Sequence, residues 1–325
     1  MLSVVQVTLP FFALVLLGYI ATRRGLLPIA AIPGLNAFVL FFALPCMLFR
    51  FGASTPIAQL LDGSVFIVYL PCALVMVGLT IALTRSRRTN WNNASLGALV
   101  AAFPNTGFMG MPMLVALLGA KVAGPTIITI TIDMVITTSL CVALSRLDAA
   151  GEHGARVAFR KALLGMVSNP MPWAILLGTA FSALNMELLG PVAKTVELLG
   201  NAASPAALFT IGAVLARTSI AAGDALDTGP HKARPWQDYW LIALLKLFLH
   251  PLLVLLVGSS AIQLGLPLDH FALTVIVLVA ALPSASNVAL LAERFEADTA
   301  RIARIILVST ALAFFTFSGA VALLT

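Results

Sequence analysis

Phe103-Pro104-Asn105-Thr106-Gly107-Phe108-Met109-Gly110-Met111-Pro112 lies in the middle of an apolar run long enough to cross a bilayer. A helix in hydrocarbon satisfies its own backbone, so Pro104, Gly107 and Gly110 free amide and carbonyl groups that must find another partner. Leu282-Pro283-Ser284-Ala285-Ser286-Asn287 repeats the device in the second half, with a proline and then small polar residues inside an apolar run. Paired interruptions of this kind are the sequence mark of a binding site at membrane depth.

Working outward, the composition places the whole chain in the membrane. Hydrophobic residues make up 60% and charged residues 10%, with a mean hydropathy of +1.03, whereas soluble domains carry about 25% charged residues. Ten apolar runs of spanning length can be read, at about 2–20, 33–49, 64–84, 94–118, 122–145, 166–185, 190–216, 238–262, 270–292 and 302–323. The first is not a secretory leader by pattern, because Met1 to Gln6 holds no basic residue and Arg23-Arg24 follow the run. Cys46, Cys72 and Cys141 all fall inside runs and lack metal or redox spacing.

Lysine and arginine fall unevenly between the loops. One alternate set holds 15 and the other holds Arg50, Lys121 and Lys194. The basic set belongs in the cytoplasm, which puts both termini outside a bacterial inner membrane. The isoelectric point near 9.7 therefore reflects topology, and no nucleic-acid partner is expected.

Two landmarks recur at one offset. Leu16-Leu17-Gly18 matches Leu176-Leu177-Gly178, and Ala43-Leu44-Pro45 is echoed by Ala203-Ser204-Pro205, both 160 residues apart (178−18 and 205−45). Five spans is an odd number, so the second copy enters from the opposite side and the repeats are inverted. The expected organisation is an all-α integral membrane protein with a first five-helix repeat over 1–145, a cytoplasmic connector over 146–165 and a second repeat over 166–325.

Each break lies nine or ten residues from the cytoplasmic end of its run, roughly 15 Å deep at about 1.5 Å per residue, so the two can meet near the midplane. Proline suits the first position of a helix, and each break is expected to start a half-helix whose free amides and positive dipole end face an anion. Pro104, Asn105, Thr106, Gly107, Pro283, Ser284, Ser286 and Asn287 are the candidate substrate-binding residues, with Gly107 and Gly110 letting a second backbone approach. Taken singly, each break reads more readily as a proline kink repaired by neighbouring hydroxyls, and it is their matched depth that favours a site.

Several runs resemble the auxin efflux carrier family, which includes plant PIN-type carriers and bacterial organic-acid permeases. They are Asn169-Pro170 with Trp173-Ala174-Ile175-Leu176-Leu177-Gly178, Ser204-Pro205-Ala206-Ala207-Leu208-Phe209-Thr210-Ile211-Gly212, and Ala281-Leu282-Pro283-Ser284-Ala285-Ser286-Asn287-Val288 continuing to Leu291-Ala292-Glu293-Arg294-Phe295. Ala43-Leu44-Pro45 and the Gly107 to Pro112 stretch add to it in the first half. The resemblance implies runs 1, 2, 6 and 7 as a scaffold, runs 3–5 and 8–10 as a mobile transport domain, and substrate bound where runs 4 and 9 cross. It also implies alternating access, homodimers through the scaffold, and small carboxylates such as malate or malonate as substrates. The long cytoplasmic loop of the plant members is missing, so the bacterial branch is the nearer likeness.

Three ionisable side chains fall well inside runs, away from their ends: Asp133, Lys246 and His250. Such groups are costly in hydrocarbon and are coupling or charge-handling candidates. Lys246 and His250 share a helical face, being four apart. Asp133 can neutralise Lys246 or carry a proton, Lys246 can add to the positive field of the anion site or snorkel to the surface, and His250 can be a hydrogen-bonded core residue.

Other classes fit less well. A nucleotide-driven pump lacks its GxxxxGK[ST] signature, and an intramembrane enzyme lacks HExxH, with His153, His231, His250 and His270 too scattered to share a metal. No cofactor is expected beyond a coupling ion, H⁺ or Na⁺. The alternatives that stay open are a Na⁺-coupled carrier of a larger anion, a passive pore, and a receptor that does not transport.

Overall fold

Uninterrupted apolar stretches give long helices, and the prolines decide where these bend or stop. The computed structural model describes residues 2–55, 62–86, 89–147, 170–228 and 237–325, and every regular element among them is helical. The first three helices are α1, Leu2–Arg23, α2, Ile29–Ser54, and α3, Gly63–Thr84. Next come α4, Trp91–Ala102, α5, Thr106–Leu118, and α6, Ala120–Ser145. After the expected connector, most of which falls outside the described residues, follow α7, Pro170–Ala183, and α8, Gly190–Thr228. Helix α9 runs as Gln237–Leu244, Leu245–Leu249 and His250–Gln263, and is followed by α10, His270–Ala281, α11, Val288–Arg294, and α12, Thr299–Leu324.

Seven of these helices are long and apolar enough to cross a membrane, which makes the chain a multi-pass membrane protein. Runs 4 and 9 read from the sequence are each divided, into α4 with α5 and into α10 with α11. Run 6 is described only from Pro170.

Among the described residues four π-helical turns lie within or at the start of otherwise regular helices. Those at Val39–Ala43, Thr106–Gly110 and Leu245–Leu249 each end two residues before a proline, namely Pro45, Pro112 and Pro251. Proline has no N–H to donate and its ring crowds the carbonyl four residues back, so a locally widened turn absorbs the misfit. The fourth, Ile132–Thr137, has a different cause: Thr138 Oγ1 donates to the Asp133 carbonyl at 2.8 Å, competing with the regular ladder.

Glycines bring α1 against α8 and α2 against α7. A Cβ on Gly18 would stand 1.9 Å from the Phe209 carbonyl oxygen, and one on Gly212 1.9 Å from that of Val15. Likewise, a Cβ on Gly178 would stand 2.3 Å from the Phe49 oxygen and one on Gly52 3.0 Å from that of Ile175. Every residue of the first contact pair maps on to the second at the offset of 160: 178−18, 209−49, 212−52 and 175−15. Close approach of small residues is what holds helices together where lipid removes the hydrophobic drive.

At Gly18 the obstacle is backbone, which cannot rotate away. Gly18→Val is expected to cost at least about 3 kcal/mol, the upper end of the range for overpacking a filled core. Thermal unfolding in detergent would register it, and a melting temperature equal to that of the parent would remove this contact from the account of the fold.

Candidate functional site

The two interruptions meet. Asn105 N–H donates to the Pro283 carbonyl at 2.8 Å and Ala285 N–H to the Phe103 carbonyl at 2.9 Å, so Pro104 and Ser284 face each other as a short antiparallel bridge. The pairing uses backbone groups that the prolines release from α4 and α10, as the absence of water in a bilayer demands. All ten residues of 101–106 and 282–285 are buried.

This geometry revises the expected position of the prolines. Neither begins a half-helix: α5 starts at Thr106, two residues after Pro104, and α11 at Val288, five after Pro283. The extended pairing occupies the residues between. The half-helix entrances still face the crossing, and the amides of Gly107, Phe108, Ser286 and Asn287 have no hydrogen-bond partner among the described residues. Glycine serves two purposes here. A Cβ on Gly110 would lie 2.3 Å from Leu282 Cδ1, so Gly110 does admit the other break, whereas Gly107 has nothing within 4 Å and borders open space.

Buried polar atoms without partners collect around the bridge. Asn105 Oδ1, Ser284 Oγ and Asn287 Oδ1 are of this kind, and so is Thr310 Oγ1, next in sequence to the Ser309 that meets Ser284. Asn105 occupies the N-cap of α5 yet makes no capping bond, though capping is the usual reason for asparagine there. Thr106 behaves differently, since its hydroxyl reaches only the Pro104 carbonyl at 3.4 Å. Ser286 and Asn287 are half-buried and form the accessible edge. Orphaned polar groups are rare in folded interiors, so these atoms need an explanation beyond the packing of the fold.

Beside the bridge lies the charged cluster. Asp133, Lys246 and His250 have no exposed surface. Lys246 Nζ donates to the Ala280 carbonyl at 2.6 Å and lies 3.1 Å from His250 Nδ1. In a continuous α10 the Ala280 carbonyl would accept the Ser284 N–H. The break takes that donor away, and Ser284 N–H points instead to Ser309 Oγ at 3.3 Å. Lys246 thus caps the carbonyl end of α10, where the helix dipole favours a cation. It does not snorkel, since that bond holds Nζ in the interior.

Asp133 is held by hydroxyls. Tyr69 donates to Oδ2 at 2.9 Å and Thr137 to Oδ1 at 3.2 Å. Asp133 and Lys246 form no direct ion pair, so a contact through which Asp133 would neutralise Lys246, one of the two roles the sequence left open for it, is not made. The Tyr69 ring stands 5.9 Å from that of His250, tying α3 to α9. His250 Nε2 has no partner. Among the described residues no three His, Cys, Asp or Glu side chains converge as a metal site.

Tyr69, Ser309 and Thr310 are absent from the sequence-derived site. A tyrosine inside an apolar run was the available signal for the first. Serine and threonine in a span usually bond their own helix, so Ser309-Thr310 carried no signal that would separate them from the rest.

A chain of apolar helices with two interruptions paired at membrane depth is built as a membrane transport protein. In agreement, the family model described as "Membrane transport protein" matches residues 3–321. The chain belongs to this family, the auxin efflux carrier family that its motifs resemble. It is 28% identical over 324 residues to a protein of Rhizobium meliloti named "Putative malonate transporter", covering 98% of this chain and 95% of that one. A relative in Escherichia coli K12, "Uncharacterized transporter YfdV", is 26% identical over 303 residues, covering 90% and 88%. One in Methanothermobacter thermautotrophicus, named "Uncharacterized transporter", is 27% identical over 316 residues with 94% of each covered. These are the names of transporters and not of enzymes.

Proposed function

We propose that the chain is a secondary active carrier of a small carboxylate of the malonate or malate type, which binds where the Pro104 and Pro283 breaks cross and moves by alternating access. The observation that carries this reading is the group of buried, unpartnered polar atoms of Asn105, Ser284 and Asn287 at the backbone bridge. The free amides of Gly107, Phe108, Ser286 and Asn287 and the Ser284 hydroxyl supply donors on both sides of a carboxylate, and two helix entrances add a favourable field. The name of the Rhizobium relative supports a dicarboxylate of malonate size.

The architecture in this reading is ten spans in two inverted five-helix repeats, with α4 plus α5 and α10 plus α11 each forming one broken span. The contacts of Gly18 and Gly212, repeated by Gly178 and Gly52 at an offset of 160, support it. Scaffold helices α1, α2, α7 and α8 pack on one another, while α3, α4, α6, α9, α10 and α12 gather around the crossing. The division supports a mobile bundle sliding on a fixed one, with dimers formed through the scaffold in a bacterial inner membrane and both termini outside.

For coupling we favour H⁺ over Na⁺. The Phe103 carbonyl already accepts from Ala285 and the Ala280 carbonyl from Lys246, so two of the oxygens that a sodium ion would use near the breaks carry donors. Asp133, Tyr69, His250 and Lys246 instead form a titratable group of side chains beside the site.

Purified protein in proteoliposomes should accumulate radiolabelled malonate above its equilibrium level when an inward proton gradient is imposed, and should do so equally with and without Na⁺. Equilibration without accumulation would make the chain a pore or uniporter. Binding of malonate with no flux would make it a receptor.

A further inference from the structure

Helices α3, α6 and α7 enclose a crevice of about 530 Å³ on the flank of the molecule. Its walls are Phe66 of α3, Ile128, Ile132 and Val135 of α6, and Leu176 of α7, and its rim is open, with Phe66 41% and Leu176 59% exposed. Polar lining groups make no demand on a guest. Thr131 Oγ1 donates to the Ile127 carbonyl at 2.8 Å, Thr179 Oγ1 to the Ile175 carbonyl at 2.9 Å, and Asp62, at the outer end, accepts from both the amide and the hydroxyl of Ser64.

In the repeat reading proposed above, on which this inference rests, the equivalent seam is that between α1 and α12, because α7 corresponds to α1 and α6 to α12. There protein fills the space: Phe12 meets Phe314 edge to face at 5.4 Å, and Thr8 Oγ1 lies 3.3 Å from Ser318 Oγ. One seam is packed by its own side chains and the other is open toward the bilayer.

We infer that the acyl chain of a membrane phospholipid fills the crevice between α7 and the α3–α6 pair. Water is excluded by the apolar walls, and a carboxylate would find no free donor. A helix of a second copy does not fit, since 530 Å³ is little more than one turn of a helix about 10 Å across and 5.4 Å in pitch. A flexible hydrocarbon chain entering from the side meets every condition. It stands where the mobile bundle must slide past the scaffold, and it takes the place of the aromatic contact that packs the opposite seam.

The test uses a phospholipid with a photoreactive diazirine at the end of one acyl chain, mixed into vesicles holding the full-length protein, with adducts mapped by mass spectrometry. Labelling is expected to be at least fivefold denser on residues 127–136 and 175–179 than on Phe248, Leu252 and Leu256, the exposed face of α9. Leu176→Trp and Thr179→Phe, which fill the crevice from its rim and from α7, should each remove most of the labelling on α6 and leave that on α9 unchanged. Equal labelling of α6 and α9, or labelling of α6 that persists in both folded variants, overturns the proposal. The readout follows lipid and not flux, so a failure to transport malonate would leave it unaffected.

Discussion

Replacing Asn105 with alanine is expected to lower malonate uptake by about 10- to 150-fold, the equivalent of one hydrogen bond to a charged group at about 1.5–3 kcal/mol, while leaving the melting temperature unchanged. The two halves of this expectation come from the same side chain, whose Nδ2 group is the one that can donate to a carboxylate. Oδ1 of Asn105 is buried and has no partner, and the side chain makes no capping bond to α5. Folding therefore gains nothing from it. Removing an unsatisfied buried polar group is neutral or stabilising, in contrast to removing one partner of a made bond. The backbone N–H that pairs with Pro283 is retained in alanine, so the crossing itself should persist. Ser284→Ala tests the opposite break in the same way, because Ser284 Oγ is likewise unpartnered. Uptake assays in proteoliposomes set beside thermal unfolding in detergent give the answer. Undiminished uptake would remove Asn105 from the site, and loss of uptake together with a large fall in melting temperature would make its role structural.

Much of this arrangement was legible in the sequence for a physical reason. Proline, glycine and small polar residues are so poorly suited to an apolar span that Pro104 and Pro283 declare their positions, and a rise of 1.5 Å per residue is enough to bring them to one depth. The glycines at an offset of 160 were legible because close helix contact in lipid selects for small residues, although nothing in the spacing says that Gly18 would meet Phe209 or that Gly178 would meet Phe49. Backbone pairing could not be read. Whether a proline starts a helix or an extended crossing depends on which strand of chain it meets, and the Asn105 to Pro283 bond joins residues far apart in sequence. The partner of Lys246 could not be read for a related reason. Snorkelling or facing the anion site are the options of a lysine seen alone, but its partner is a carbonyl at Ala280, freed by a break in a different helix.

Lys246→Met is expected to destabilise the protein by about 3–5 kcal/mol, the range for removing one member of a buried charge system, and to abolish accumulation of malonate. Methionine has nearly the length of lysine, so packing is conserved and the loss is electrostatic. The substitution strips the Ala280 carbonyl of its donor at the end of α10 and leaves Asp133, held by Tyr69 and Thr137, as a buried carboxylate without a nearby cation. A second substitution separates those effects. Asp133→Asn removes the uncompensated charge and keeps groups that can bond Tyr69 and Thr137, so adding it to Lys246→Met should recover more than half of the lost stability without restoring accumulation. If instead Lys246 is neutral in the folded protein, Lys246→Met costs only the bond to Ala280, about 1 kcal/mol, and Asp133→Asn recovers nothing. Unfolding measured on the parent, the two single variants and the double variant distinguishes the cases, because the coupling energy of the cycle is large only when both groups carry charge.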